Sequence, residues 1–126
     1  PVTLVTSRAA SRTAVQALES AGVDVILATG ENEAARVQHA LDELGAREVQ
    51  SLLLEGGPHL AGAFLEAGEI DEARIFVAPI LAGGREARTV VEGLGAEAMA
   101  GAAHALALDA DRIDDDILIV ARLNEW

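Results

Sequence analysis

The sequence predicts an α/β fold with a mixed sheet, in which mostly parallel strands are flanked by helices and the C-terminal strands are antiparallel. Short apolar, β-branched segments alternate with helical segments along the first two thirds of the chain, as in successive βαβ units. Hydrophobic residues make up 51% of the 126 residues, which is enough for a packed core. The length corresponds to a single domain.

The N-terminal part is predicted to alternate strands and helices. The predicted strands are 2–6, 23–28 and 49–54, and the predicted helices are 11–21 and 32–44. Ser11 or Thr13 is expected to cap the first helix and Asn32 the second, because their side-chain oxygens accept hydrogen bonds from free backbone N–H groups. Gly22 and Gly45 are expected to end the helices, since glycine readily adopts the left-handed backbone that closes a helix.

The third predicted strand leads through a glycine turn into a third helix. Its run Leu52–Leu54 predicts burial on both faces, as in a parallel sheet. Pro58 suits the first helical position, and this helix is expected to end near Gly68. Pro79 interrupts the next predicted strand, 71–80, which indicates a sheet edge or a strand end. The remainder is predicted as a loop followed by an antiparallel pair around an acidic turn: loop 81–103, strands 104–108 and 117–123.

Charge and composition exclude several classes of protein. Twenty-one acidic residues against nine arginines give a net charge of −12, which opposes binding to nucleic acid or anionic membranes. Without lysine, the chain supplies neither a Schiff base nor a P-loop lysine. Without cysteine, it has no disulfide, thiol nucleophile or zinc-thiolate site. No basic leader precedes Val2 and no apolar run approaches the roughly 20 residues of a membrane span, so we expect a cytoplasmic protein.

The turn at 55–58 carries the strongest signal for a binding site. Open α/β sheets bind ligands beyond the carboxyl ends of their strands, and this turn follows such an end. Its two glycines let a ligand approach the backbone closely and permit positive φ. The helix that follows directs free N–H groups to the same point, which suits a phosphate or pyrophosphate. A tight strand-to-helix turn without a ligand is the alternative.

Two further polar groups lie at predicted strand ends. Thr6, Ser7 and Arg8 provide two hydroxyls and a guanidinium, which suit a phosphate monoester. The alternative is a helix cap with a surface arginine. Glu55 ends a predicted buried strand, where a carboxylate needs a partner. It would accept hydrogen bonds from a substrate hydroxyl or amine, or from backbone N–H groups.

Histidines and aspartates give no metal-binding pattern. His39, on the outer face of its predicted helix, and His104 are predicted to be structural, whereas His59 follows the glycine turn and is placed to touch a ligand there. No two histidines have the spacing of metal ligands. The acidic run 109–116 lacks the glycine and glutamate of an EF-hand loop, so we predict a solvated turn and no metal site.

Several blocks resemble one enzyme family. They are SLLLEGGPHLAGAFL at 51–65, Gly68, IDE at 70–72, APILAGG at 78–84 and DDDIL at 114–118. Together they are very similar to the reductase domain of riboflavin biosynthesis, which forms the C-terminal half of a bifunctional pyrimidine deaminase/reductase and also occurs alone. The resemblance implies a dihydrofolate-reductase-like fold over the whole chain, 1–126, as one partial reductase domain.

The resemblance also implies an activity and a cofactor. The activity is NADPH-dependent reduction of 5-amino-6-(5-phosphoribosylamino)uracil, a phosphorylated pyrimidine, to its ribitylamino product, with the hydride supplied by the nicotinamide. Glu55 matches a substrate-binding carboxylate. Thr6, Ser7 and Arg8 match the strand end that binds the adenosine 2′-phosphate. The remaining implied cofactor contacts are Gly56, Gly57, Pro58, His59, Leu60, Ala61, Gly62 and Ala63.

The resemblance is to part of a larger domain. Family reductase domains have roughly 200 residues, so we expect the first strands, with the catalytic residues and most substrate-phosphate contacts, to lie upstream of this chain. We expect a homodimer, as is common in the family, which would also cover an incomplete sheet edge. The alternatives are a reductase of the same fold acting on another pterin or pyrimidine, and a non-catalytic module that binds a nucleotide or forms an assembly.

Overall fold

The structure is a computed structural model that describes residues 2–125. The chain forms two compact units, Pro1–Glu55 and Gly56–Trp126, and each is described by itself. The prediction that 1–126 make a single domain stays a prediction.

The first unit contains a parallel pair of strands with a helical crossover. Its elements are β1 (Thr3–Ser7), α1 (Arg12–Ser20), β2 (Asp24–Ala28) and α2 (Glu33–Ala46). Thr3 pairs with Asp24 and Ser7 pairs with Ala28, so the two strands run in parallel from end to end. Their carboxyl ends therefore lie side by side at one edge of the sheet.

Side-chain caps begin both helices of this unit. Ser11 Oγ accepts a hydrogen bond from Ala14 N at 3.1 Å, and Asn32 Oδ1 accepts one from Ala35 N at 2.8 Å. Ser11 and Asn32 are thus confirmed as caps, and Thr13 lies inside α1. The predicted end of α2 at Gly45 is wrong, because the helix continues to Ala46.

The core of the first unit lies between β2 and α2. The side chains of Ile26, Ala28, Val37 and Ala40 are all less than 9% exposed. The predicted strand 49–54 is wrong, since no strand forms there and Leu53 is 78% exposed. A strand needs a neighbouring backbone for its hydrogen bonds, and within residues 2–125 none pairs with this segment.

The second unit combines one helix with an antiparallel sheet. Its elements are α3 (Pro58–Ala67), β3 (Glu72–Val77), a short 3₁₀ turn (Met99–Gly101), β4 (Ala107–Ile113) and β5 (Asp116–Arg122). The strand order is β3-β5-β4. Pro79 follows the end of β3, which is an edge strand as predicted. Within residues 2–125, parallel pairing is limited to β1 and β2, whereas the sequence predicted mostly parallel strands.

Turns in the second unit match the sequence signals closely. Pro58 is the first residue of α3, and Gly68 closes it in the left-handed conformation with φ 75°. The acidic turn joins β4 to β5, where Asp114 has φ 53°. β4 begins three residues later than predicted and runs on to Ile113. No helix within residues 2–125 is both long and apolar enough to cross a membrane.

Candidate functional site

A cavity of about 360 Å³ opens at the carboxyl ends of β1 and β2. It lies wholly within the first unit, and its lining consists of Ser7, Arg8, Ala9, Ala28, Thr29, Gly30 and Arg36. The in-register parallel pairing brings the residues after Ser7 and after Ala28 together at this edge. The lining contains two guanidinium groups and two hydroxyls but no carboxylate.

Two of the three residues predicted at the end of β1 line this cavity. Ser7 is half-buried, and its Oγ accepts a hydrogen bond from Ala9 N at 3.3 Å, which leaves the hydroxyl proton available to a ligand. Arg8 is exposed and forms no ion pair or hydrogen bond with another described residue. Thr6 does not line the cavity, because successive strand residues point to opposite faces. The alternative of a helix cap at 6–8 is wrong, since Ser11 is the cap.

Arg36 contributes the second guanidinium, and the sequence analysis missed it. Its Nη1 donates to the carbonyl oxygen of Gly30 at 3.4 Å, and its Nη2 lies 3.8 Å from Glu33 Oε1. Gly30 has φ 152°, and a Cβ there would lie 2.7 Å from the Ala35 Cβ. Glycine therefore lets the end of β2 approach the first turn of α2, which places Arg36 at the cavity wall. The sequence did offer one signal for this residue, because an arginine in the first turn of a helix that follows a strand lies near the carboxyl end of that strand.

The glycine turn at the start of α3 belongs to the second unit. Gly57 is the N-cap residue, and no side chain caps the helix there. A Cβ at Gly57 would meet no atom within 4 Å, whereas one at Gly56 would lie 2.7 Å from Leu60 Cδ2. Neither glycine adopts the positive φ that its lack of a side chain would permit. Because the packing of the chain does not demand glycine at 57, the open space there is available to a ligand.

One side of α3 is covered by the loop around Glu92, which belongs to the same unit. Gly62 and Ala63 are buried, and a Cβ at Gly62 would collide with the carbonyl of Glu92. Glu92 N donates to Pro58 O at 3.0 Å, and Leu94 N donates to Glu66 Oε1 at 2.6 Å. Among the predicted cofactor contacts, Gly62 and Ala63 thus serve packing in this arrangement. His59 and Leu60 are exposed and Ala61 is half-buried.

Glu55 and His39 depart from their predicted environments, whereas His104 does not. Glu55 is exposed and has no hydrogen-bond partner among the described residues, because the segment before it is not a buried strand. His39 is half-buried rather than on an outer face, and its covered Nδ1 has no partner in the described chain. His104 lines a second cavity of about 220 Å³ beside Asn124. The Asn124 amide donates to Gly68 O at 3.1 Å, which gives that region a structural role.

A basic cavity at the carboxyl ends of parallel strands is typical of α/β domains that bind phosphorylated ligands. Comparison with known proteins makes the assignment specific: the model of the RibD C-terminal domain family matches residues 1–119, and the chain belongs to that family. Its fold is the dihydrofolate-reductase-like fold of RibD.

Similar proteins come from several organisms. RibD of Actinobacillus pleuropneumoniae is 35% identical over 98 residues, covering 78% of this chain and 26% of that protein. A Methanothermobacter thermautotrophicus protein named 2,5-diamino-6-ribosylamino-4(3H)-pyrimidinone 5′-phosphate reductase is 44% identical over 62 residues, covering 49% and 29%. The structure of Acinetobacter baumannii RibD matches with a TM-score of 0.73 and 27% identity, covering 98% of this chain and 31% of that one. The chain spans less than a third of the length of each.

Proposed function

We propose that this chain is the cofactor-binding part of a riboflavin-biosynthesis reductase. The reaction is the NADPH-dependent reduction of 5-amino-6-(5-phosphoribosylamino)uracil to the ribitylamino product. Family membership supports the reaction class, since a reductase of this family implies a nicotinamide cofactor. The observation that carries the proposal is the cavity at the ends of β1 and β2, with two guanidinium groups and no carboxylate in its lining.

The cavity suits the part of NADPH that distinguishes it from NADH. The adenosine 2′-phosphate is a phosphate monoester, which guanidinium groups bind through charge-assisted hydrogen bonds. Ser7 would donate its hydroxyl proton and Arg8 would supply charge in a chain whose net charge of −12 otherwise repels anions. NADPH supplies the hydride when bound.

The glycine turn of the second unit has features that suit a phosphate group of a dinucleotide. The open space beside Gly57 and the uncapped start of α3 accommodate a phosphate at the backbone N–H groups. Within the segment 56–63, the exposed members Gly56, Gly57, His59 and Leu60 are the ones offered to a ligand, with Pro58 and Ala61 half-exposed beside them.

The exposed Glu55 carboxylate is proposed to bind the substrate. A carboxylate accepts hydrogen bonds, so it suits the amine and hydroxyl groups of the pyrimidine and its ribose. The catalytic residues are expected in a part of the protein outside this chain. We further propose a homodimer in the cytoplasm that acts on a small phosphorylated pyrimidine rather than on nucleic acid or a membrane.

A second substrate is favoured by one relative. The protein from Methanothermobacter thermautotrophicus, 44% identical over 62 residues, is named for a 2,5-diamino-pyrimidinone phosphate rather than for RibD. The two substrates differ in the ring substituent at position 2, an amino group in one and an oxygen in the other. The same cofactor site would serve both reactions, so the two candidate functions differ only in the part of the protein that recognises the pyrimidine.

Cofactor titration followed by turnover tests the proposal. Calorimetric titration of the chain is expected to show NADPH binding at least about tenfold tighter than NADH, as a charge-assisted phosphate contact predicts. A folded chain that binds neither dinucleotide would favour the non-catalytic module. Oxidation of NADPH by the full-length protein, measured with each pyrimidine in turn, separates the two substrates.

A further inference from the structure

Arg36 is held at the cavity wall with most of its hydrogen-bonding capacity unused. A guanidinium has five N–H donors in a planar fork. Only one of them reaches the carbonyl of Gly30, at 3.4 Å, and the Glu33 carboxylate at 3.8 Å lies beyond hydrogen-bond distance. The Gly30 contact fixes where the guanidinium lies, while the remaining donors stay available to a ligand in the cavity.

A purely structural role explains this arrangement poorly. The Arg36–Glu33 pair joins positions i and i+3 on an exposed helix face, with 33% and 45% of the side chains exposed. Exposed ion pairs of this kind add little to stability. By contrast, Arg47 near the other end of α2 pairs directly with Asp24, and that pair lies away from the cavity lining.

The cavity is lined by cations from two elements of the fold. Arg8 follows β1, whereas Arg36 comes from the helix after β2, and both line the same volume of about 360 Å³. Two guanidinium groups around one space match a doubly charged phosphate monoester, which has three acceptor oxygens. A ribose hydroxyl in the same place would leave the Arg8 charge uncompensated.

We infer that Arg36 is a cofactor-specificity residue, which with Arg8 forms a two-arginine clamp on the phosphate monoester of the adenosine ribose. The inference rests on the proposed function and deepens it, because it names the group that selects NADPH. Glu33, whose Oε1 lies 3.8 Å from Arg36 Nη2, competes less well for Arg36 than the phosphate, which carries more charge and more acceptor oxygens.

The test uses ligand binding rather than turnover. Arg36→Gln keeps a donor for the Gly30 carbonyl but removes the charge and the fork. The folded chain is titrated by calorimetry with adenosine 2′,5′-bisphosphate and with adenosine 5′-monophosphate. The expected result is a loss of about tenfold or more in affinity for the bisphosphate, with less than about a twofold change for the monophosphate. Arg47→Gln, the same change at the residue that follows α2, is expected to alter neither affinity.

Each other outcome has a definite meaning. If Arg36→Gln binds the bisphosphate as tightly as the unaltered chain does, or loses both ligands equally, the inference is overturned while the proposed cofactor site stands. If the unaltered chain does not prefer the bisphosphate, the proposed NADPH selectivity falls as well. Arg36→Lys, which keeps the charge without the fork, is expected to recover part of the preference and serves as the second variant should Arg36→Gln fold poorly.

Discussion

The two units of the chain bury their apolar residues to very different extents. In the first unit, β2 and α2 enclose a small core that includes Ile26 and Val37, exposed by only 3% and 6%. In the second unit, the sheet leaves Phe76 61% exposed and Leu108 65% exposed. Ala63 is its one buried apolar residue among those the structure describes.

The difference follows from how each unit is built. A βαβ crossover folds its helix back onto its own strands, so neighbouring segments of the chain supply both sides of a core. An antiparallel sheet of three strands has two faces, and a single ten-residue helix offers little cover for them. The candidate cavity therefore lies on a unit with its own core, whereas the second unit presents apolar surface typical of an interaction face.

Replacing a core residue of the first unit should have the largest effect on stability. Ile26→Ala removes a side chain packed at 3% exposure, and we expect the free energy of unfolding to fall by about 2–5 kcal/mol. Phe76→Ala is the matched change in the second unit and should cost well under half as much, because its side chain is 61% exposed. Urea denaturation followed by circular dichroism measures both. Equal losses would contradict the contrast between the units.

Two glycines buried to different extents in helices sharpen the comparison. Gly62→Ala should lower the free energy of unfolding by about 1–3 kcal/mol, because the new Cβ collides with the backbone of the loop at Glu92. Gly45→Ala should instead raise it by about 0.5–1 kcal/mol, since a Cβ in α2 meets no atom there and alanine favours the helix. Thermal unfolding of the two variants gives the signs. Stabilisation by Gly62→Ala would show that the loop does not pack on α3.

The helix caps of the first unit should have a smaller, local effect. Asn32→Ala removes the acceptor for Ala35 N and should cost about 1 kcal/mol. Thr13→Ala is the control, because Thr13 lies within α1 and does not cap it, and it should cost less than half of that. Chemical denaturation compares the two directly. A larger loss for Thr13→Ala would reverse the assignment of the caps.

The sequence predicted helix starts best, because a helix start depends on residues within one turn of it. Ser11, Asn32 and Pro58 begin helices through local effects within one turn, so the sequence located each of the three α-helices of the described residues. The run 49–54 misled because apolar residues indicate burial but do not supply the neighbouring strand that a sheet requires. The predicted strand 104–108 ended too soon, because charged residues such as Asp109 and Asp111 are more typical of a loop. In the structure both belong to β4, two positions apart and therefore on one face of the strand.

In the candidate site, too, residues placed by local structure were predicted and a residue placed by tertiary packing was not. Ser7 ends β1 and Arg8 directly follows it, and both were found from that position. Arg36 was not found, because its place depends on how closely Gly30 lets β2 approach α2, and this is a property of tertiary packing. Gly62 matched the family motif, yet the structure uses it to seat a loop on α3. A sequence motif therefore identifies important residues, and only the packing shows whether each of them binds a ligand or stabilises the fold.

Gly57→Ser separates stability from binding at the start of α3. Gly57 has φ −73° and ψ 174°, a conformation open to any residue, and a serine there could cap the helix that now has no side-chain cap. We therefore expect the free energy of unfolding to change by only a few tenths of a kcal/mol.

NADPH affinity should fall several-fold, because the hydroxymethyl group fills the space left open beside the backbone N–H groups. Calorimetric titration measures that loss, with Gly45→Ala as a control for glycine replacement away from the site. Unchanged NADPH affinity in a folded Gly57→Ser chain would mean that the cofactor does not use this opening.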